Sequence, residues 1–92
     1  MLSLETFEKL KDVAEEYIVS PPAHRKELMQ TISLFLSDIR RAAKNPAVGN
    51  KCSEIYSWFE ELAKSRNKNY TEQSLINFIR TDLSVIGNLL DI

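Results

Sequence analysis

Apolar residues along this chain recur every three or four positions, the spacing that lines them up on one side of an α-helix. Phe7, Leu10, Ala14, Tyr17 and Ile18 predict a first helix over about residues 4–19, with Ser3 as its cap. Leu28, Ile32, Phe35, Ile39 and Ala42 predict a second over about 21–44, its stripe widened by Met29, Leu36 and Ala43. Val48, Cys52, Ile55, Phe59 and Leu62 repeat the same spacing in a third, about 47–66. Leu75, Ile79, Leu83, Ile86 and Leu90 do so in a fourth, about 72–90. No apolar–polar alternation of the kind a half-buried strand needs competes with these stripes.

The breaks between stripes carry helix-ending and helix-starting residues. Ser20-Pro21-Pro22 stops the first helix; Ser20 is expected to cap the second, with Pro21 at its first position, where a missing donor costs little. Asn45-Pro46 repeats that signal, and Gly49 weakens the start that follows by about 1 kcal/mol. Ser65 to Asn69 is polar and reads as a loop, after which Thr71 caps the fourth helix and Glu72 sits favourably in its first turn. Connections this short force consecutive helices to be antiparallel neighbours. The expectation is all-α: residues 1–92 as a single domain, an antiparallel up-down-up-down four-helix bundle, left-handed because the stripes follow a 3.5-residue repeat. The second helix, roughly 36 Å long at 1.5 Å per residue, is its spine.

Composition narrows the classes. The chain is 43% hydrophobic and 27% charged with a formal net charge of −1, ordinary for a globular domain and unlike the strongly basic footprint of a dedicated nucleic-acid binder. A single cysteine forms no internal disulfide, which suits a reducing compartment. Apolar runs such as Leu34-Phe35-Leu36 fall far short of the roughly 20 residues of a membrane span. Met1-Leu2-Ser3-Leu4-Glu5 lacks the basic start and long apolar centre of a signal peptide. A cytoplasmic placement is expected.

Signatures of catalysis are missing. There is no glycine-rich phosphate loop, no Cys-x-x-Cys, no His-Glu-x-x-His and no Glu-x-x-His di-metal pattern, so no enzyme activity, cofactor, metal or small-molecule substrate is expected. His24 reads as a surface histidine beside Arg25 and Lys26. Cys52 lies on the third apolar stripe and reads as an inert buried thiol. Glu15-Glu16 and Glu60-Glu61 are adjacent pairs pointing about 100° apart, so neither converges on a substrate.

Charge and surplus apolar surface are more informative. Residues 1–20 hold five acids and two bases, whereas 24–68 hold nine bases and five acids. Arg40, Arg41 and Lys44 close the second helix and Lys64, Arg66 and Lys68 the third, where cations complement the helix dipole. Arg40, Arg41 and Lys44 are also candidates for touching a phosphate or an anionic surface. Leu34 projects opposite its helix's apolar stripe, and Trp58 lies at the edge of the third. On the fourth helix Phe78, Val85 and Leu89 extend the apolar arc to about half the circumference, more than one bundle face requires. Either the first helix covers that flank, or it is a partner-binding surface made by Trp58, Phe78, Val85 and Leu89 with Arg80.

The order of landmarks resembles the immunity proteins of pediocin-like (class IIa) bacteriocins, particularly the enterocin A immunity group. The parallel runs from about Arg25 to Asn88. A long second helix leads to the Asn45-Pro46 turn, then a third helix with Tyr56, Trp58 and Phe59, then a basic-polar loop from Lys64 to Asn69. Tyr70-Thr71-Glu72, Ile79-Arg80 and Leu83-Ser84-Val85-Ile86-Gly87 follow. The sequence ends at Ile92, soon after the fourth helix, whereas many members continue into a longer tail. The resemblance implies a cytosolic, non-catalytic four-helix bundle. It would act at the inner membrane face by engaging the mannose phosphotransferase permease once bacteriocin has bound it. A monomer or weak dimer that binds no nucleic acid is expected. Two other readings stay open. One is a different helical interaction module (an adaptor, antitoxin or phage-encoded inhibitor); the other is nucleic-acid binding through Arg40, Arg41, Lys44 and Lys51.

Overall fold

Prolines mark the starts of the second and third helices in this chain. The computed structural model describes residues 2–64 and 69–90 and contains four helices: α1 (Leu2–Val19), α2 (Pro22–Ala42), α3 (Pro46–Ala63) and α4 (Glu72–Leu90). The first starts ahead of Ser3, so that serine is not its cap. Ser20 does not cap α2 either; its hydroxyl donates back to the Glu16 carbonyl at 2.6 Å and closes α1. The cap position belongs to Pro21, extended at φ −69° and ψ 160°, and Pro22 is the first helical residue. A residue that precedes proline is pushed out of the helical region, so Pro22 holds Pro21 extended and delays the helix by one position.

The same rule holds Asn45 extended at the start of α3. Asn45, extended ahead of Pro46, accepts the Ala47 amide on its side chain at 2.9 Å, and α2 closes at Ala42 with Ala43 as its cap. At Lys64 the backbone turns extended, so α3 ends earlier than its polar continuation suggested. Residues 65–68, assigned to the helix end and loop, lie outside the described residues. Thr71 caps α4 as expected, its hydroxyl accepting the Ser74 amide at 3.1 Å.

One hydrophobic cluster draws on all four helices. Every predicted stripe residue of α1 and α3 is buried, and so are Leu75, Ile79, Leu83 and Ile86 of α4. On α2 the buried line keeps Ile32 and Ile39 but takes Leu36 in place of Phe35 and Arg25 in place of Leu28. It runs through Arg25, Ile32, Leu36 and Ile39, leaving Phe35 on a half-buried shoulder and Ala42 exposed.

Contacts at the two ends show how the helices run. Arg25, in the first turn of α2, donates from Nε to the Tyr17 carbonyl at 3.0 Å and from Nη2 to the Ile18 carbonyl at 2.7 Å, both at the end of α1. Its Nη1 donates to the Leu62 carbonyl at the end of α3 at 3.1 Å, and Nη2 also meets the Glu72 carboxylate at the start of α4 at 3.0 Å. Four helix ends therefore meet at one guanidinium, which donates to carbonyls in the last turns of α1 and α3, where helical partners run out. At the opposite end Gly87, late in α4, faces the ring of Phe7, early in α1. Tyr17 ties α1 to α3 through the bundle, donating to the Phe59 carbonyl and meeting the Phe59 ring edge-on at 5.0 Å. Burial pushes the Tyr17 phenol up to about 12, so it remains a donor at any physiological pH.

Candidate functional site

Antiparallel pairing of α3 and α4 brings the flank singled out in the sequence against α3. Phe78, Asp82, Val85 and Leu89 are spaced at four, three and four residues, one stripe of a 3.6-residue helix. Facing it on α3 is the stripe of Lys51, Glu54 and Trp58. Phe78 meets Trp58 with ring centroids 4.8 Å apart, and Tyr70, just ahead of α4, stands edge-on to both at 5.4 and 5.7 Å. Such edge and tilted geometries are the favourable ones for aromatic quadrupoles. Trp58 and Phe78 are half-buried and Tyr70 is 39% exposed, so the three rings form a continuous patch open to solvent.

The flank is thus neither sealed nor free. Phe78 and Leu89 pack their inner edges on the core, and Val85 keeps an intermediate exposure. What covers the inner side is α3; α1 lies against the opposite flank, where Phe7 faces Gly87 and lines a groove with Leu83. Arg80 does not join the aromatic patch. Two residues from Phe78 it points roughly 200° away, toward α1, where it donates to both carboxylate oxygens of Glu15 at 3.2 and 3.1 Å. That pair spans a groove of about 550 Å³ lined by residues of both helices. Arg80 therefore closes the α1–α4 seam instead of extending the candidate face.

Among the basic residues at the end of α2, Arg41 pairs with Asp38 at 2.8 Å, while Arg40 and Lys44 are exposed. Lys51, considered with them for nucleic acid, is committed to Glu54 at 2.9 Å and lies 3.7 Å from Asp82. His24 is partly exposed between Glu16 at 3.7 Å and Glu27 at 3.2 Å. Cys52 is buried, and that burial pushes its thiol up to about 11, away from the reactive thiolate. Among the described residues, no three His, Cys, Asp or Glu side chains gather to hold a metal ion, and no helix is long and apolar enough to cross a membrane. Leu34, 66% exposed, stands alone on its helix's polar side.

Three features of the site were missed in the sequence. Tyr70 follows a polar run and looks like loop; only its position two residues before the helix start hints that it folds back on α4. Asp82 interrupts the apolar stripe of Phe78, Val85 and Leu89, a signal present in the spacing. Arg25 looked like one of three solvated bases.

Protein-family models, curated proteins and solved structures give no match to this chain.

Proposed function

We propose that this protein is a non-catalytic immunity protein of the pediocin-like bacteriocin type, which protects the cell by docking onto the bacteriocin-bound mannose phosphotransferase permease from its cytosolic side. The observation that carries the docking reading is the Trp58–Tyr70–Phe78 patch. Three large rings share one open surface, and tryptophan and tyrosine are the residues that most often dominate binding energy in protein interfaces. Val85 and Leu89 continue that surface along α4. The choice of partner rests on the resemblance in helix order and landmarks from Arg25 to Asn88. A protein that recognises a toxin–receptor complex needs no affinity for the free toxin, because its differential contact with the complex is what traps the blocked state.

The test is expression in a bacterium sensitive to pediocin-like bacteriocins, followed by killing assays against a panel. Survival against at least one member, with no enzymatic change to the peptide, is the expected result. Sensitivity to every member, with the protein folded and abundant, contradicts the immunity reading and leaves the aromatic face to a different protein partner.

A further inference from the structure

We propose that Lys51, Glu54 and Asp82 form a proton-responsive latch across the α3–α4 seam, relaxed when Asp82 carries a proton and strained when it does not. This inference is independent of the partner assigned above. Asp82 is only 5% exposed, in the middle of an otherwise apolar stripe, and its Oδ2 has no hydrogen-bond partner among the described residues. The one ammonium group nearby does not satisfy it. Lys51 Nζ is 3.7 Å from Oδ1, beyond hydrogen-bonding distance, and sits instead at 2.9 Å from Glu54.

The imbalance follows from counting charges. With both acids ionised, two carboxylates share one ammonium, and Glu54, a neighbour that raises the Asp82 carboxyl, is itself only an acceptor. When Asp82 takes up one proton from solvent, its O–H donates to the Glu54 carboxylate, which keeps Lys51. The cluster then changes from one net negative charge to none, and the buried pair becomes donor and acceptor. The charged groups acting on Asp82 are Lys51 and Glu54, both from α3; among the described residues α1 and α2 contribute none. On its own helix, Arg80 is turned toward Glu15. Burial first, then Glu54, push the Asp82 carboxyl up to about 6 against the pull of Lys51 and the Trp58 indole, while Lys51 and then Asp82 hold Glu54 low.

The sign of the linkage is set by that direction. An unfolded aspartate ionises near 3.9, so between roughly pH 4 and 6 the folded chain binds a proton that the unfolded chain has released. Stability from this group is present in mild acid and is lost as pH rises through the folded value. Trp58, the chain's one tryptophan, stands next to the cluster and reports on it.

The experiment uses the full chain: Trp58 fluorescence and melting temperature from pH 4.5 to 8, with the Asp82 carboxyl followed by carbon NMR. The expected result is a single titration near pH 6 in both carboxyl shift and fluorescence. Asp82→Asn should abolish the fluorescence step and melt above the unmodified protein at pH 7.5 but not at pH 5. Glu54→Gln should move the midpoint to lower pH, to a proton concentration about tenfold or more higher. His24→Asn, which removes the only histidine, should leave it in place. An Asp82 carboxyl that titrates near pH 4, or a fluorescence step that survives in Asp82→Asn, overturns the proposal. Should Asp82→Asn fail to fold, the NMR midpoint and Glu54→Gln decide by themselves.

Discussion

Arg25 holds the ends of all four helices, and its sequence neighbours gave no hint of it. His24 and Lys26 lie on the outer side of α2, whereas Arg25 is one turn before Met29 and two before Ile32, on the line that becomes core. The apolar periodicity marks that line, but a reading that seeks only apolar residues passes over a guanidinium whose five donors suit converging carbonyls. Replacing it with methionine keeps some bulk and removes the guanidinium donor from the Ile18 and Leu62 carbonyls, and from Tyr17, which keeps the Ser20 amide. Arg25→Met should cost about 3 kcal/mol in urea denaturation, a large part of the ~5–15 kcal/mol that holds a domain of this size. Arg25→Lys should recover only part of it, because a point charge lacks the planar fork. Equal stability of the methionine variant would mean that the carbonyls are satisfied by water.

At the level of elements, the stripes of α1, α3 and α4 were legible because apolar side chains at helical spacing have no other way to leave water together. The burial of Leu36 ahead of Phe35 on α2 was not, since the two are equally apolar and only packing against α1 and α3 chooses between them. Helix ends depended on which proline acts on which neighbour, a local rule that does apply to Ser20-Pro21-Pro22. The two glycines separate two roles. At Gly49 an added Cβ would meet the Arg40 side chain at an ordinary 3.5 Å, whereas at Gly87 it would come within 2.9 Å of the buried Phe7 ring. Gly49→Ala should therefore raise stability by about 0.5–1 kcal/mol through helix propensity alone. Gly87→Ala should give back that gain or lose stability, because the Phe7 ring has to move within a packed core. Thermal melts of the two variants side by side check this, and equal stabilisation would show that Phe7 yields freely.

For the whole molecule, packing accounts for most of the chain and leaves a small remainder. The remainder is the aromatic patch on α3 and α4, with a strained acid behind it. Trp58 and Phe78 were identified from angular surplus, yet whether that surplus faced α1 or stayed open depended on how closely each neighbouring helix approached, which spacing does not encode. We propose that this patch is the working surface. The most direct measurement is survival of a protected, bacteriocin-challenged strain carrying Trp58→Ala or Phe78→Ser, compared with His24→Ala at equal protein abundance. Each patch substitution should cut protection by roughly tenfold or more, the equivalent of at least about 1.4 kcal/mol of lost contact, and the histidine change should leave it intact. Full protection by both patch variants, with loss only at His24, would contradict it.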